Sequence, residues 1–284
     1  MKPDDFEFVR RLLKERSGLV VGEDKAYLLE SRLMPVARKF GLSNLEELIQ
    51  KVRSAPTNEM LVDVTEAMTT NESFFFRDTK PFDLFKEHVL PHLLESRTAR
   101  KSFRIWCAAA SSGQESYSLA IILKEEGVKL AGWRTELIGT DISNEILARA
   151  KEGRYSQFEV QRGMPIQLLV KYFEKDGEHW RIKDEIRNMV RYQFFNLLDD
   201  PNSLGNFDVV FCRNVLIYFD QPTKKAVLER IAALMPDDGL LFLGGRKRFW
   251  VSPINSSRFP ASVVSTDFRE IDEREGLFAV IHFR

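Results

Sequence analysis

The sequence predicts an α/β protein in which an all-helical N-terminal domain precedes a Rossmann-like, doubly wound sheet. Apolar residues recur at helical spacing through residues 1–70, without the alternation typical of strands. From about residue 101, short apolar strands alternate with amphipathic helices, which is typical of a mainly parallel sheet. The first strand, residues 103–107, leads through small residues into a helix, as the first βα unit of a nucleotide-binding sheet does.

Four helices are predicted within the N-terminal 70 residues. The second begins near residue 24, and Pro35 is expected to kink or restart it. Ser43 and Glu46 have the spacing of a capping box, which predicts the start of the third helix. The fourth helix is expected to end near residue 68.

The charge of the chain is balanced overall but uneven along the sequence. The formal net charge is zero, which argues against a nucleic-acid partner bound over the whole surface. Residues 10–39 nevertheless carry eight basic and four acidic residues. Such an excess is usually a solvated face, and the alternative is a docking surface for an acidic partner.

Residues 69–78 combine three consecutive phenylalanines with polar side chains. The run is too apolar for a surface linker, and a polar group buried within it needs hydrogen-bond partners. Asn71, Ser73 and Arg77 therefore either line a pocket above the first βα turn or lie in a linker packed between domains. In the second case Arg77 is expected in an ion pair.

The turn after the first strand places small residues at the spacing of G-x-G-x-x-G, namely Ala108, Ala110 and Gly113. Small side chains there either admit a ligand close to the backbone or simply pack the helix onto the sheet. Glu115 follows in the first helical turn, without Lys or Arg nearby in the sequence. Because a helix N-terminus bearing a carboxylate disfavours a pyrophosphate, we expect a cationic ligand such as S-adenosylmethionine.

A second acid, Asp141, follows the next predicted strand. At the carboxyl end of that strand its carboxylate can accept hydrogen bonds from both hydroxyls of a ribose. Alternatively, Asp141 or Ser143 caps the helix that begins at Asn144. The two roles are compatible.

The remainder of the chain completes the sheet. A helix over residues 80–97 leads into the first strand, and residues 155–158 have a loop-like pattern. Residues 180–182 and 189–195 alternate as strands, which predicts a small β-element on the main sheet. Asn214 ends a buried strand, at the edge where open α/β sheets bind ligands. The later strands are predicted at residues 207–215, 239–245 and 277–283.

Composition bears on localisation, on the state of the cysteines and on metal binding. The chain contains no run of about 18 apolar residues and no signal-peptide pattern, which indicates a cytoplasmic protein without membrane insertion. Cys107 and Cys212 lie in predicted core strands, so we expect reduced, buried thiols. The four histidines and two cysteines are not clustered, so we expect no metal site.

These motifs together resemble the chemotaxis-receptor glutamate methyltransferases, the CheR family. The resemblance implies a helical domain over residues 1–70, a linker and lead-in helix over 71–100, and an S-adenosylmethionine-dependent methyltransferase domain over 101–284. It also implies a small inserted β-subdomain over residues 173–196. The residues that carry the resemblance are Thr70-Asn71-x-Ser73-x-Phe-Phe-Arg77, Ala108-Ala-Ala-Ser-Ser-Gly113-Gln-Glu115, Asn196-Leu-Leu and Cys212-Arg-Asn-Val-Leu-Ile-Tyr-Phe219.

The resemblance further implies the site residues and the partners. Arg32 and Arg38 would meet the cytoplasmic helical region of methyl-accepting receptors, and S-adenosylhomocysteine would be the product left by the cofactor. We expect a monomer without a nucleic-acid partner. The implied cofactor contacts are Asn71, Ser73, Arg77, Glu115, Asp141, Asn196, Leu197, Asn214 and Val215.

The chain departs from the family pattern in several places. Ser73 replaces a threonine but retains the hydroxyl, and Gln114-Glu-Ser-Tyr117 replaces Glu-Glu-Pro-Tyr. Gly244-Gly-Arg-Lys247 replaces Gly-His-Ser-Glu, which substitutes two cations for a polar or acidic corner. Residues 175–179 form a shorter loop than in members that capture a receptor's C-terminal pentapeptide, so the resemblance implies the pentapeptide-independent kind.

The expected chemistry needs no general base, because a glutamate side chain with a pKa of about 4.3 is already ionised at neutral pH. Arg77 or Tyr218 would orient that carboxylate, unless Arg77 holds the cofactor's own carboxylate instead. Two alternatives stay open: a methyltransferase of this fold acting on another protein or a small molecule, and a non-catalytic module that binds the cofactor. A nicotinamide dehydrogenase is disfavoured because nothing near Gly113 suits a pyrophosphate.

Overall fold

The computed structural model describes residues 1–244 and the backbone of a final strand, Ala279–His282. The chain divides into two compact units, each with its own packing. The first consists of Met1–Thr70, Asn196–Asp199 and Leu216–Leu228, and the second of Asn71–Phe195, Asp200–Val215 and the residues after Leu228. Within the described ranges, no helix has the length and hydrophobicity needed to cross a membrane.

The first unit is helical, as its apolar spacing predicts. Its core is formed by buried aliphatic residues such as Leu13, Leu29, Leu33, Leu48 and Ile49. A 3-10 turn over Glu23–Lys25 precedes the second helix. The helices of the N-terminal segment are α1 (Pro3–Ser17), α2 (Ala26–Lys39), α3 (Leu45–Ser54) and α4 (Asn58–Ala67).

Two local predictions in this unit need correction. α2 runs without a break over Ala26–Lys39, so it does not restart at Pro35, which is exposed while Leu33 and Val36 are buried in the core. The third helix is capped by Asn44, whose side chain accepts a hydrogen bond from the Glu47 backbone N–H at 2.9 Å. Glu47 in turn accepts from the Ser43 N–H at 2.8 Å, so the capping pattern lies one residue later than predicted. Asn and Ser cap equally well, and local sequence cannot choose between adjacent candidates.

The second unit contains a large sheet and a small one. A lead-in segment comprises α5 (Lys80–Leu84), a π-helical turn (Phe85–Val89) and α6 (Leu90–Ser96). The strands are β1 (Ser102–Ala108), β2 (Arg134–Asp141), β3 (Arg154–Ser156), β4 (Phe173–Asp176), β5 (His179–Ile182), β6 (Val190–Phe194), β7 (Val209–Cys212), β8 (Leu240–Leu243) and β9 (Ala279–His282). The connecting helices are α7 (Gln114–Glu125), α8 (Asn144–Glu152), α9 (Gln157–Gln161), α10 (Ile166–Tyr172), α11 (Asp184–Arg187) and α12 (Gln221–Ala233).

The large sheet has the strand order β6-β2-β1-β7-β8-β9. Every neighbouring pair is parallel except β8 and β9, which are antiparallel. The order reverses on the two sides of β1, as it does in doubly wound sheets, whose ligands bind beyond the carboxyl ends of the strands at this reversal. The predicted Rossmann-like architecture is confirmed, and it brings the ends of β1, β2 and β7 to one edge.

The small sheet is antiparallel, with the order β3-β5-β4. It includes β3, although residues 155–158 have a loop-like pattern in the sequence. The sequence predicts residues 180–182 and 189–195 together on the main sheet. β6 does pair with β2 there, but β5 belongs to the small sheet. Alternation along a strand reveals its buried face and not its neighbour, so the pattern could not separate β5 from β6.

Candidate functional site

The turn between β1 and α7, residues 109–113, has an unusual backbone. Ala109, Ser111 and Gly113 have φ angles of 113°, 51° and 93°. Residues other than glycine rarely adopt such φ angles, and the conformations of Ala109 and Ser111 each cost of order 1–3 kcal/mol. Of the three positions at glycine spacing only Gly113 is left-handed, and a Cβ there would lie 2.6 Å from the Tyr192 hydroxyl oxygen. Glycine is therefore required at position 113 both by conformation and by space.

Hydrogen bonds from the end of β2 hold this 109–113 turn. The backbone N–H groups of Ala109 and Ala110 donate to the Thr140 carbonyl at 3.0 and 2.8 Å. The Ser111 N–H donates to the Asp141 carboxylate at 2.9 Å. The turn is thus fixed beside the carboxyl end of β2, where a ribose would be recognised.

Asp141 is buried, with 8% of its surface exposed. Its carboxylate accepts from the backbone N–H groups of Ser111 and Ser143 at 2.9 and 3.1 Å. Ser143, not Asp141, caps α8 by accepting from the Ile146 N–H at 3.2 Å. Asp141 therefore joins the 109–113 turn to the start of the helix cap, and the alternative that Asp141 itself caps α8 is not realised.

Glu115 has a cationic neighbour that the sequence does not reveal. One terminal nitrogen of Arg213, directly after β7, donates to Glu115 at 2.8 Å. The other donates to the Asp78 carboxylate at 2.7 Å and to the Arg77 carbonyl at 3.0 Å. Although no Lys or Arg is near Glu115 in the sequence, pairing of β7 with β1 places Arg213 beside it. We call these three side chains the Glu115–Arg213–Asp78 cluster.

The Glu115–Arg213–Asp78 cluster contains two carboxylates and one guanidinium, a formal charge of −1 when both acids are ionised. Arg77 is near enough for its positive charge to lower the pKa of Glu115, so the four charged groups together sum to zero. The Arg213 side chain is 1% exposed and that of Glu115 is 12% exposed. Burial raises the pKa of Glu115, while the charge and hydrogen bond of Arg213 oppose that shift. Arg213 directly follows the buried strand β7, and this position at a carboxyl strand end was the sequence feature that could have indicated a site residue.

The segment of residues 71–77 contacts the 109–113 turn and the helix α7 that follows it. The Ser111 hydroxyl donates to the Asn71 carbonyl at 2.9 Å, and the Phe76 N–H donates to the Ser118 hydroxyl at 2.9 Å. Arg77 donates to the Glu72 carbonyl at 2.8 Å, and its guanidinium carbon lies 5.3 Å from the centre of the Phe74 ring. The hydrogen bond of Arg77 is thus to a backbone carbonyl, and not to the carboxylate that the packed-linker interpretation predicts.

Three further predicted cofactor contacts also belong to the second unit. Ser73 is half-buried in the same segment. Asn214 and Val215 follow β7 and are half-buried, with Asn214 in a left-handed conformation at φ 58°. A Cβ on Gly244 would lie 3.1 Å from the Asn214 side-chain oxygen, so Gly244 permits this close approach. Arg246 and Lys247 lie outside the described residues.

Asn196, Leu197 and Tyr218 belong to the first unit. The Asn196 side chain donates to the Arg16 carbonyl at 2.7 Å and accepts from the Leu198 N–H at 3.1 Å. Leu197 is half-buried. Tyr218 ends a 3-10 turn, is half-buried, and accepts a hydrogen bond from the Val20 N–H through its carbonyl at 2.9 Å.

The two predicted docking residues lie on α2 in different environments. Arg32 is half-buried and donates to the carbonyls of Met68 and Thr69 at 3.1 and 2.8 Å. It therefore fixes the end of the helical domain. Arg38 is exposed near the end of α2.

The two cysteines lie in neighbouring strands of the large sheet. Cys107 in β1 and Cys212 in β7 are buried and form no disulfide. Burial raises the pKa of both thiols, that of Cys212 to about 12. Neither is therefore a reactive thiolate at neutral pH.

Comparisons with known proteins show similarity over most of the chain. Residues 4–69 match the family described as CheR methyltransferase, all-alpha domain, and residues 71–259 match CheR methyltransferase, SAM binding domain. A chemotaxis protein methyltransferase of Pseudomonas aeruginosa is 42% identical over 246 residues, covering 84% of this chain and 88% of the relative. One of Pseudomonas putida is 40% identical over 244 residues, with the same coverage of 84% and 88%.

Proposed function

The chain belongs to the CheR methyltransferase family and uses S-adenosylmethionine as its cofactor, and from this premise we propose that it methylates glutamate side chains of chemotaxis receptors. The proposed products are glutamate methyl esters and S-adenosylhomocysteine. The observation that carries the proposal is the pair of carboxylates at the 109–113 turn: Asp141 accepts from the Ser111 N–H, and Glu115 lies in the first turn of α7. Such a site attracts a sulfonium and an ammonium group and repels a pyrophosphate.

The described residues suit each part of the cofactor. Asp141 would accept hydrogen bonds from the ribose, and Glu115 would attract the positive charge. Gly113 and the left-handed Ala109 and Ser111 let the backbone approach the ligand. By resemblance to the family, the further proposed contacts are Asn71, Ser73, Arg77, Asn196, Leu197, Asn214 and Val215.

The residues of this chain would contribute position and desolvation rather than proton transfer. Bound S-adenosylmethionine supplies an electrophilic methyl group on a positively charged sulfur. The acceptor carboxylate is already ionised, so it requires orientation without a general base. We propose Arg77 or Tyr218 as the donor that orients it.

The proposed partner is the cytoplasmic helical region of a receptor, and the proposed setting is the cytoplasm. The exposed Arg38 is better suited to docking than Arg32, whose guanidinium already binds backbone carbonyls. The hairpin of β4 and β5 supports pentapeptide-independent recognition, because only Gly177 and Glu178 join its strands. Such a short turn offers little extra backbone for a peptide.

Transfer of labelled methyl groups from S-adenosylmethionine to receptor-containing membranes tests the proposal. We expect base-labile label on the receptor, and equal labelling of a receptor that lacks its last five residues. A receptor with its methylated glutamates replaced by alanine is the control. Label only on another protein or a small molecule would favour a different substrate, and binding without transfer to any acceptor would favour a non-catalytic module.

The affinity for S-adenosylmethionine should fall as the pH is lowered. Burial raises the pKa of Glu115, so this carboxylate becomes protonated at a higher pH than an ordinary glutamate does. Once it is protonated, it no longer attracts the positively charged cofactor. Calorimetric titrations between pH 8 and pH 5 would measure the decline. Glu115→Gln should bind weakly at pH 8 and show a flatter profile, whereas an unchanged slope would assign the titration to another group.

A further inference from the structure

Tyr155 has a hydrogen bond that the proposed function does not use. It lies in β3 of the small sheet and is 1% exposed. Its hydroxyl donates to the Ser112 carbonyl at 2.8 Å. Ser112 belongs to the 109–113 turn, so this hydrogen bond connects the small sheet to the turn.

The 109–113 turn depends on such contacts because its backbone is strained. Ala109 and Ser111 would relax to negative φ unless surrounding groups fixed them. The contacts from Thr140 and Asp141 hold its first three residues. Tyr155 donates a hydrogen bond to the carbonyl of the next residue, Ser112. Without that donor the buried carbonyl would lack a partner, which is unfavourable.

Aromatic packing fixes the Tyr155 ring. Phe75 packs against it edge-on, with ring centres 4.9 Å apart, and Phe173 at the start of β4 lies 6.3 Å away. The centres of Phe75 and Phe173 are 5.4 Å apart. We call Phe75, Tyr155 and Phe173 the aromatic hub. The hub joins the small sheet to residues 71–77 and, through the hydroxyl, to the 109–113 turn.

The connection between α9 and α10 secures the same segment from the side of the small sheet. Gly163 approaches Phe75 so closely that a Cβ would lie 2.0 Å from the Phe75 carbonyl oxygen. Arg162 pairs with Glu72 at 2.7 Å and lies 4.2 Å from the centre of the Phe74 ring. Residues 71–77 are therefore also held by the α9–α10 connection, independently of Tyr155.

We propose that Tyr155 is a positioning residue for the cofactor, and that the small sheet sets the shape of the cofactor site through it. The hydroxyl fixes the 109–113 turn, and the ring fixes residues 71–77. The inference rests on the cofactor and not on the glutamate acceptor. A failure of receptor methylation would therefore leave it intact.

Tyr155→Phe removes the hydroxyl and keeps the hub. We expect the affinity for S-adenosylhomocysteine, measured by calorimetry, to fall about tenfold, since an unmade buried hydrogen bond costs an amount of this order. In methyl transfer the KM for S-adenosylmethionine should rise by a similar factor, with kcat changed less than about twofold. Amide hydrogen exchange at residues 111–113 should become faster.

Tyr172→Phe is the control. Tyr172 is 2% exposed, and its hydroxyl donates to the carboxylate of Glu125 at the end of α7, so this variant also loses the hydrogen bond of a tyrosine hydroxyl, but one made outside the 109–113 turn. We expect comparable thermal destabilisation with unchanged affinity. Normal affinity in Tyr155→Phe, or equal losses in both variants, would overturn the proposal. Should Tyr155→Phe not fold, Phe173→Leu loosens the ring and keeps the hydroxyl, and undiminished affinity in that variant would equally overturn it.

Discussion

Replacing Arg213 with methionine is expected to lower the free energy of unfolding by about 3–5 kcal/mol, the usual effect of removing one partner of a buried ion pair. The Arg213 guanidinium is 1% exposed and binds Glu115, Asp78 and the Arg77 carbonyl. Without it, the Glu115 carboxylate remains in a site whose burial already raises its pKa. Denaturant unfolding at pH 7 would measure the loss.

The pH dependence distinguishes this cause from a packing defect. A folded-state pKa above the unfolded value means that folding favours protonated Glu115, so the penalty is present at high pH and shrinks as the pH falls. The loss in Arg213→Met should therefore be smaller at pH 5.5 than at pH 7. Lys124→Met breaks the exposed pair with Glu185 at 2.9 Å and should cost about 1 kcal/mol or less. Equal, pH-independent losses in both variants would contradict the assignment.

Replacing Arg77 with alanine is expected to reduce kcat about 100-fold, the scale of losing one orienting or charge-stabilising donor. Arg77 lies in the segment that contacts the 109–113 turn, its guanidinium donates to the Glu72 carbonyl and lies over the Phe74 ring, and its charge acts on Glu115. Single-turnover methyl transfer, with separately measured cofactor affinity, would locate the effect.

Asp141→Ala provides the contrast. Because Asp141 binds the Ser111 N–H at the proposed ribose site, this variant should mainly weaken cofactor affinity. A large loss of affinity in Arg77→Ala, with normal kcat at saturation, would assign Arg77 to the cofactor's carboxylate. Near-normal transfer in Arg77→Ala would remove it from both roles.

The sequence predicts those elements and residues that a local pattern of apolar residues reveals. The buried runs of β1, β2 and β7 follow from their apolar patterns, and Asp141 follows from its position after β2. Arg213 was not predictable in this way, because it is 98 positions from Glu115 and approaches it only through pairing of β7 with β1. Tyr155 was missed for a related reason, since a three-residue strand is too short to show alternation.

The burial of both cysteines has a practical consequence for studying this protein in solution. The chain contains two cysteines, and both thiols are shielded and have raised pKa values. Maleimide reagents should therefore not react with the thiols of the folded native chain. A fluorophore attached through Arg38→Cys would then sit alone on the exposed end of α2, and its emission could follow receptor encounters without background labelling.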